Sequence, residues 1–202
     1  MQKSASYICT ALSEYIYSQH RFQNAVTTGF KENIDKEVTL EDSPEFADAI
    51  DCMVSYFYNA NYDTSKYNAS ESLLHAQVAI IADEYDCASL YRLAKISFAN
   101  AIKAVESDDW AAIAPLIYDY TTTELQAHKE LRGLVVAAVT DNTILSKSIF
   151  QMKSIEELLR SNADLATDLL LSGQQRLRDK EASTSILTCN NTRRLGLFRR
   201  QK

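Results

Sequence analysis

Glycine and proline are scarce in this sequence, with four glycines and two prolines among 202 residues. A strand-rich sandwich or barrel needs many tight turns, and these two residues supply most of them. The low counts therefore exclude a turn-rich β fold and predict a mainly helical α+β protein. With 46% hydrophobic and 24% charged residues, the chain has enough apolar side chains to bury a core.

Long uncharged apolar runs are also missing, since no stretch reaches the ~18 residues that a membrane-spanning helix needs. Lys3, Glu14 and several polar residues interrupt the N-terminal stretch, so we expect no secretory signal. Cys52 and Cys87 lie in apolar patterns and are predicted to be buried thiols. The four cysteines have the spacing of neither a disulfide framework nor a metal site: Cys9, Cys52, Cys87 and Cys189. We expect a reducing compartment, the cytoplasm or the nucleus or both, and no membrane partner.

Catalytic and cofactor motifs are absent from the sequence as well. The three histidines, His20, His75 and His128, have no ligand partners at metal-binding spacing, and no glycine-rich phosphate loop occurs. His75 is interpreted as a surface or half-buried helix residue. The acidic group 83–86 is interpreted as a solvated helix end, because a calcium loop needs alternating ligands and a glycine. We therefore predict no metal, no cofactor and no enzymatic activity.

Helical spacing of apolar residues dominates the rest of the chain. Ser43 and Pro44 predict a helix start, and Ser70 predicts another cap. Gly173 is predicted to end the last helix in a left-handed conformation. The only predicted strand is Glu37 to Leu40, and Met1 to Ile16 is predicted to be helical. The first predicted buried stripe is Phe46, Ile50, Met53, Val54 and Phe57.

An aromatic cluster lies at the C-terminal end of this first buried stripe. It consists of Tyr56, Phe57, Tyr58 and Tyr62. Tyrosine is common both in cores and at interfaces, because it combines a large apolar area with one polar group. Both interpretations, core packing and contact with a partner, stay open for each tyrosine.

The charge is divided unevenly along the chain. Residues 1–172 carry 13 basic and 25 acidic side chains, whereas residues 173–202 carry 8 and 2, so the net charges are −12 and +6. Periodicity is lost after about residue 178, which predicts a basic, disordered tail. The basic segment Arg193 to Lys202 is a candidate for nuclear import or nucleic-acid binding, or for a solvated tail without a partner.

Three blocks between Tyr17 and Ala101 occur in a distinctive order. The first is Tyr17-Ser18-Gln19-His20-Arg21-Phe22-Gln23-Asn24-Ala25 with Gly29-Phe30-Lys31-Glu32. The second is Val38-x-Leu40-x-Asp42-x-Pro44-x-Phe46, then Met53-Val54-x-Tyr56-Phe57-Tyr58 and Asn61-Tyr62. The third is Leu73-Leu74-His75-Ala76-Gln77-Val78, Ile81-Ala82-Asp83-Glu84-Tyr85-Asp86 and Leu90-x-x-Leu93-Ala94. Together they resemble the BTB/POZ family, particularly its short fungal members.

The sequence departs from the family pattern at several places. Ala79, Glu84 and His20 stand where the family usually has tyrosine, lysine and serine. The strand hairpin that opens the family's domain is not found upstream of Tyr17. The resemblance therefore implies a BTB/POZ-like helical cluster with a minimal, truncated β-sheet. It divides the chain into an N-terminal helix (1–16), the BTB/POZ-like domain (17–105), a helical extension (106–178) and a basic tail (179–202).

The resemblance implies a protein-interaction module that self-associates and, as in many members, binds a cullin as an adaptor for a ubiquitin ligase. The contacts would come from the helix after the strand and its following turn. The candidate partner-binding residues are Phe46, Tyr56, Tyr58, Asn61 and Tyr62. The alternative is a nucleic-acid-associated regulator that binds phosphates through the basic tail alone.

Overall fold

A computed structural model of the chain describes the backbone of residues 5–8 and 39–42 and all atoms of residues 43–179. The predictions for Cys9, His20, Cys189 and the basic tail lie outside the described residues. So does the first of the three blocks that resemble the BTB/POZ family.

Two short strands pair at the start of the described chain. Strand β1 (Ala5–Ile8) runs antiparallel to β2 (Thr39–Asp42), with Ala5 opposite Asp42 and Ile8 opposite Thr39. The prediction of a helix from Met1 to Ile16 is wrong over β1, because pairing with β2 satisfies its backbone groups between strands instead of within a helix. The predicted strand Glu37 to Leu40 overlaps β2 only in its last two residues, and its first two lie outside the described residues.

The first helix begins as the proline signal predicts. Ser43 precedes a 3₁₀ turn, Pro44–Phe46, in which the Phe46 N–H donates to the Ser43 carbonyl at 2.9 Å. Helix α1 (Ala47–Asn59) follows directly. The prediction that the Ser43 side chain caps this helix is wrong, because it makes no capping hydrogen bond. The predicted buried stripe is confirmed for Phe46, Ile50, Met53 and Phe57, which are each at most 3% exposed, whereas Val54 is half-buried.

Helix α2 (Glu71–Glu84) is the central element of the first part of the chain. Ten of its residues are buried, and it packs against α1, α3 (Ala88–Ala101) and α4 (Ser107–Tyr120). The predicted cap is confirmed, because the Ser70 hydroxyl accepts from the Leu73 N–H at 3.4 Å. A short 3₁₀ turn, Ile102–Ala104, joins α3 to α4.

The residues that the structure describes fall into two compact units, which divide between Val135 and Val136. The division falls inside helix α5 (Gln126–Asp141), beyond residue 105, where the segment resembling the BTB/POZ family ends. The first unit extends beyond residue 105 because α4 packs on α2 and completely buries Trp110, Ile113 and Ile117.

The second unit contains helices α6 (Thr143–Ile149), α7 (Lys153–Ser161) and α8 (residues 163–179). The prediction that Gly173 ends a helix is wrong, because α8 runs through it to the last described residue. A helical glycine costs only about 1 kcal/mol relative to alanine, and hydrogen bonds from Ser172 and Arg176 to Thr140 hold α8 on both sides of Gly173. Residues 43–179 thus form a mainly helical protein, and within them every helix is too short or too polar to cross a bilayer.

Candidate functional site

Two of the five predicted partner-binding residues lie in the core. Phe46 is 1% exposed and Tyr56 is 6% exposed, so neither can contact a partner directly. Both lie on the face of the 3₁₀ turn and α1 that is buried with Met53, where helical spacing places them. Tyr58 is 48% exposed, Asn61 is exposed and Tyr62 is half-buried. Tyr58, Asn61 and Tyr62 are therefore the part of the predicted binding surface that is exposed or half-buried.

Helix α1 ends in an uncommon backbone conformation that directs the chain toward these residues. Ala60 adopts φ 53°, in the left-handed region, and its N–H donates to the Tyr56 carbonyl at 2.8 Å. Alanine lacks the conformational freedom that usually places glycine at such a cap. The loop that follows this cap, residues 60–70, is called the α1–α2 loop.

The near end of the α1–α2 loop is attached to helix α2 through a tyrosine–histidine pair. The Tyr62 hydroxyl lies 2.7 Å from Nδ1 of His75, and the two rings meet edge to face at 5.5 Å. On its other side, Nε2 of His75 lies 3.5 Å from a carboxylate oxygen of Glu71. This loop residue is therefore linked directly to helix α2.

The protonation of this network follows from its burial. His75 is 7% exposed, and burial lowers the pKa of its imidazole below the ordinary value. A neutral imidazole has one donor and one acceptor. Because the Glu71 carboxylate can only accept, Nε2 carries the hydrogen and Nδ1 accepts from Tyr62. Burial also raises the pKa of the Tyr62 hydroxyl, so Tyr62 stays a protonated donor at neutral pH.

The far end of the α1–α2 loop is attached to helix α1. The Tyr67 hydroxyl donates to Asp51 at 2.5 Å, and the Ser65 N–H donates to the Asp63 carboxylate at 3.0 Å. Burial and the bond to Asp51 raise the pKa of Tyr67. Ser70 then caps α2 at the end of the loop. The loop is thus fixed at two points, near Tyr62 and at Tyr67.

A polar cleft of about 580 Å³ lies beside the Tyr62–His75 pair, between α2, α3 and the start of α4. Most of its lining side chains carry hydroxyl, amide or carboxylate groups, as in Ser70, Ser97, Asn100 and Asp109. Both ring nitrogens of His75 are already engaged by Tyr62 and Glu71, so the imidazole holds the loop in place. The cleft offers polar contacts rather than an activated nucleophile.

A second buried polar network stabilises the first unit and has no counterpart in the sequence predictions. Nε2 of His128 donates to Asp83 at 2.9 Å, and its Nδ1 accepts from the Thr122 N–H at 2.9 Å. Arg132, which is 5% exposed, donates to the Thr121 hydroxyl and carbonyl. These partners are up to 45 residues apart, and no local spacing signals them.

The two described cysteines are free and buried, as predicted. Burial raises the pKa of the Cys52 thiol to about 11, so it is protonated and unreactive at neutral pH. Among the residues that the structure describes, no group of three or more histidine, cysteine, aspartate or glutamate side chains is arranged to hold a metal ion.

Comparison with known proteins found no match: no protein-family model, no curated protein and no solved structure corresponds to this chain.

The buried imidazole gives a testable pH dependence. The pKa of His75 is lower in the folded chain than its ordinary 6.5, so the unfolded chain binds this proton more readily. The stability that neutral His75 contributes is complete above about pH 6.5 and is lost as the pH falls through the lowered pKa. We expect the difference in free energy of unfolding between wild type and His75→Gln to shrink from pH 7.5 to pH 5, measured by urea denaturation. A difference that stays constant with pH would contradict this assignment.

Proposed function

We propose that this chain is a non-enzymatic protein-interaction module whose recognition surface is the end of α1 with the α1–α2 loop. The observation that carries the proposal is the double attachment of the loop, Tyr62 to His75 and Tyr67 to Asp51. A loop that is ordered before binding loses less conformational entropy when a partner binds.

The side chains available on this surface suit protein recognition. Tyr58 is 48% exposed and Asn61 is exposed at the turn. Tyrosine supplies a large contact area with few rotatable bonds, and it is enriched among residues that dominate binding energy. The adjoining polar cleft can accept hydrogen bonds from the edge of a partner.

The partner we propose is the N-terminal domain of a cullin, which would make the chain an adaptor of a ubiquitin ligase in the cytoplasm or nucleus. This step rests on the resemblance to the BTB/POZ family. Its support in the fold is the element order: strand β2, the turn at Pro44, helix α1 and then the packed pair α2 and α3. On this view residues 17–105 are a BTB/POZ-like cluster with a minimal sheet, and self-association is a further implied property.

The alternative, a regulator that binds nucleic acid through the basic tail, concerns residues outside the described part of the chain. The exposed side chains that the structure describes at the end of α1 support protein recognition instead. We therefore favour the protein-interaction proposal.

Replacing Tyr58 with alanine tests the proposed surface. If Tyr58 is an anchor residue, its loss should remove about 2 kcal/mol and weaken binding to a purified cullin N-terminal domain roughly 30-fold. The affinities of wild type and variant can be compared by isothermal titration calorimetry. The melting temperature of Tyr58→Ala should stay close to that of wild type, because the side chain is half exposed.

Ile144→Ala is the matched control, since it truncates a side chain that is 80% exposed in the second unit. It should bind the cullin domain as wild type does. Equal affinities for Tyr58→Ala and wild type would show that the surface is misplaced. No binding by wild type at tens of micromolar would show that the partner is not a cullin.

A further inference from the structure

An apolar groove of about 570 Å³ runs along helix α8 in the second unit. Its walls are Phe150, at the end of α6, Leu159 of α7, and one face of α8. Phe150, Leu170 and Leu177 are 55%, 62% and 63% exposed. Exposed apolar side chains gathered on one surface mark sites of association more often than side chains scattered singly.

The face of α8 in this groove alternates small and large residues. Ala166, Leu170, Gly173 and Leu177 all line the groove, and their spacing of four, three and four residues keeps them on one side of a helix. A Cβ built on Gly173 meets nothing within 4 Å. Gly173 and Ala166 therefore form recesses, and Leu170 and Leu177 form projections.

The alternation is self-complementary under a two-fold axis. Leu170 and Gly173 lie at equal distances on either side of a point between residues 171 and 172, and so do Ala166 and Leu177. When two copies of α8 cross antiparallel at that point, each leucine faces a small residue of the other copy. A symmetric dimer requires a surface that matches itself in this way.

The helix dipoles favour the same antiparallel arrangement, because antiparallel pairing sets the N-terminal end of each α8 beside the C-terminal end of the other. Asp164 and Asp168 lie on the side of α8 away from the groove, so they take no part in this pairing.

We propose that this groove binds a second copy of the chain, with Leu170 opposite the partner's Gly173 and Leu177 opposite the partner's Ala166. The proposal uses no residue of the α1–α2 loop, so it stands or falls separately from cullin binding. Three half-exposed apolar side chains per copy cover less than the ~800 Å² per partner of a standard interface, so we expect a weak dimer with Kd on the order of 100 µM.

Gly173→Glu tests the contact, because the new side chain has open space in the single chain but fills the recess that Leu170 would occupy. Sedimentation velocity of the full chain from about 5 to 500 µM should show the mass of wild type rising with concentration, and Gly173→Glu should raise Kd at least tenfold. Gly133→Glu is the matched control, since Gly133 is also helical, with open space around its Cβ and a place in the first unit. It should associate as wild type does.

The register is tested by a charge pair. Leu170→Lys changes an exposed side chain and should weaken self-association by itself. A mixture of Leu170→Lys and Gly173→Glu chains should instead form a mixed dimer, because the lysine introduced in one chain then faces the glutamate introduced in the other. Circular dichroism melting checks that each variant is folded. If Gly173→Glu does not fold, Leu170→Lys alone tests the contact.

Three results would overturn the proposal. The first is a monomeric wild type at about 500 µM, and the second is unchanged association of the folded variants. The third is association that appears only after residues 180–202 are removed, because it would show that the chain's own tail occupies the groove.

Discussion

Phe57→Ala is expected to lower the free energy of unfolding by about 3–5 kcal/mol. Phe57 is 3% exposed on α1, its ring lies 6.3 Å from that of Tyr56, and the neighbouring core residue Met53 is completely buried. Removing the ring leaves a cavity that the closely packed neighbouring side chains cannot fill. Urea denaturation followed by circular dichroism measures the loss, and the melting temperature should fall by roughly 6–20 °C.

Tyr58→Ala is the control for this truncation, because it removes a similar ring from the next residue of the same helix. Tyr58 is 48% exposed, so its loss should change the free energy of unfolding far less, by about 0.5 kcal/mol. A loss below about 1 kcal/mol for Phe57→Ala, or equal losses for the two variants, would show that the buried face of α1 is assigned wrongly.

Trp110→Ala is expected to destabilise the first unit by about 4 kcal/mol or more. Trp110 is completely buried on α4, and its indole N–H donates to the Val135 carbonyl at 3.0 Å. The substitution removes the largest fully buried side chain and leaves a buried carbonyl without its donor.

Trp110→Phe separates these two contributions. Phenylalanine keeps most of the ring but has no donor, so the expected loss is about 1–3 kcal/mol. Both variants can be compared with wild type by guanidinium denaturation followed by circular dichroism. Equal losses for alanine and phenylalanine would mean that the hydrogen bond, and not the packing, holds α4 to α5.

The sequence predicted the local features of the helices well, because these features depend on residues close together in the chain. The stripe of Ile50, Met53 and Phe57 is buried, and Ser70 caps α2. Apolar spacing and capping chemistry are properties of a few consecutive turns. The mainly helical character followed from the same patterns and from the scarcity of glycine and proline.

The candidate site could be predicted only in part. The sequence singled out Tyr58, Asn61 and Tyr62, but it could not separate them from Phe46 and Tyr56, because all five lie in one aromatic stretch and only packing decides which side chains are covered. The bond from Tyr62 to His75 spans 13 residues, across a loop whose path no periodicity defines. His75 was accordingly expected at or near the surface, whereas it is buried.

Two secondary-structure predictions are wrong for the same physical reason. In both, contacts with residues distant in the sequence outweigh the local conformational preference of the segment. Gly173 suggested a helix end, yet α8 continues through it. The segment around Ile8 has helical apolar spacing, yet Ala5–Ile8 pairs with Thr39–Asp42 as a strand. In both places the local signal was weak, amounting to about 1 kcal/mol or less per residue.

The central claim is that the end of α1 and the α1–α2 loop form a preordered surface that contacts a protein partner. Hydrogen–deuterium exchange of the full chain, alone and with excess cullin N-terminal domain, tests it most directly. We predict that the partner slows exchange in peptides covering residues 58–70 and leaves the buried helix α2 unchanged. Slowing that is confined to other segments, or no slowing anywhere, would contradict the account.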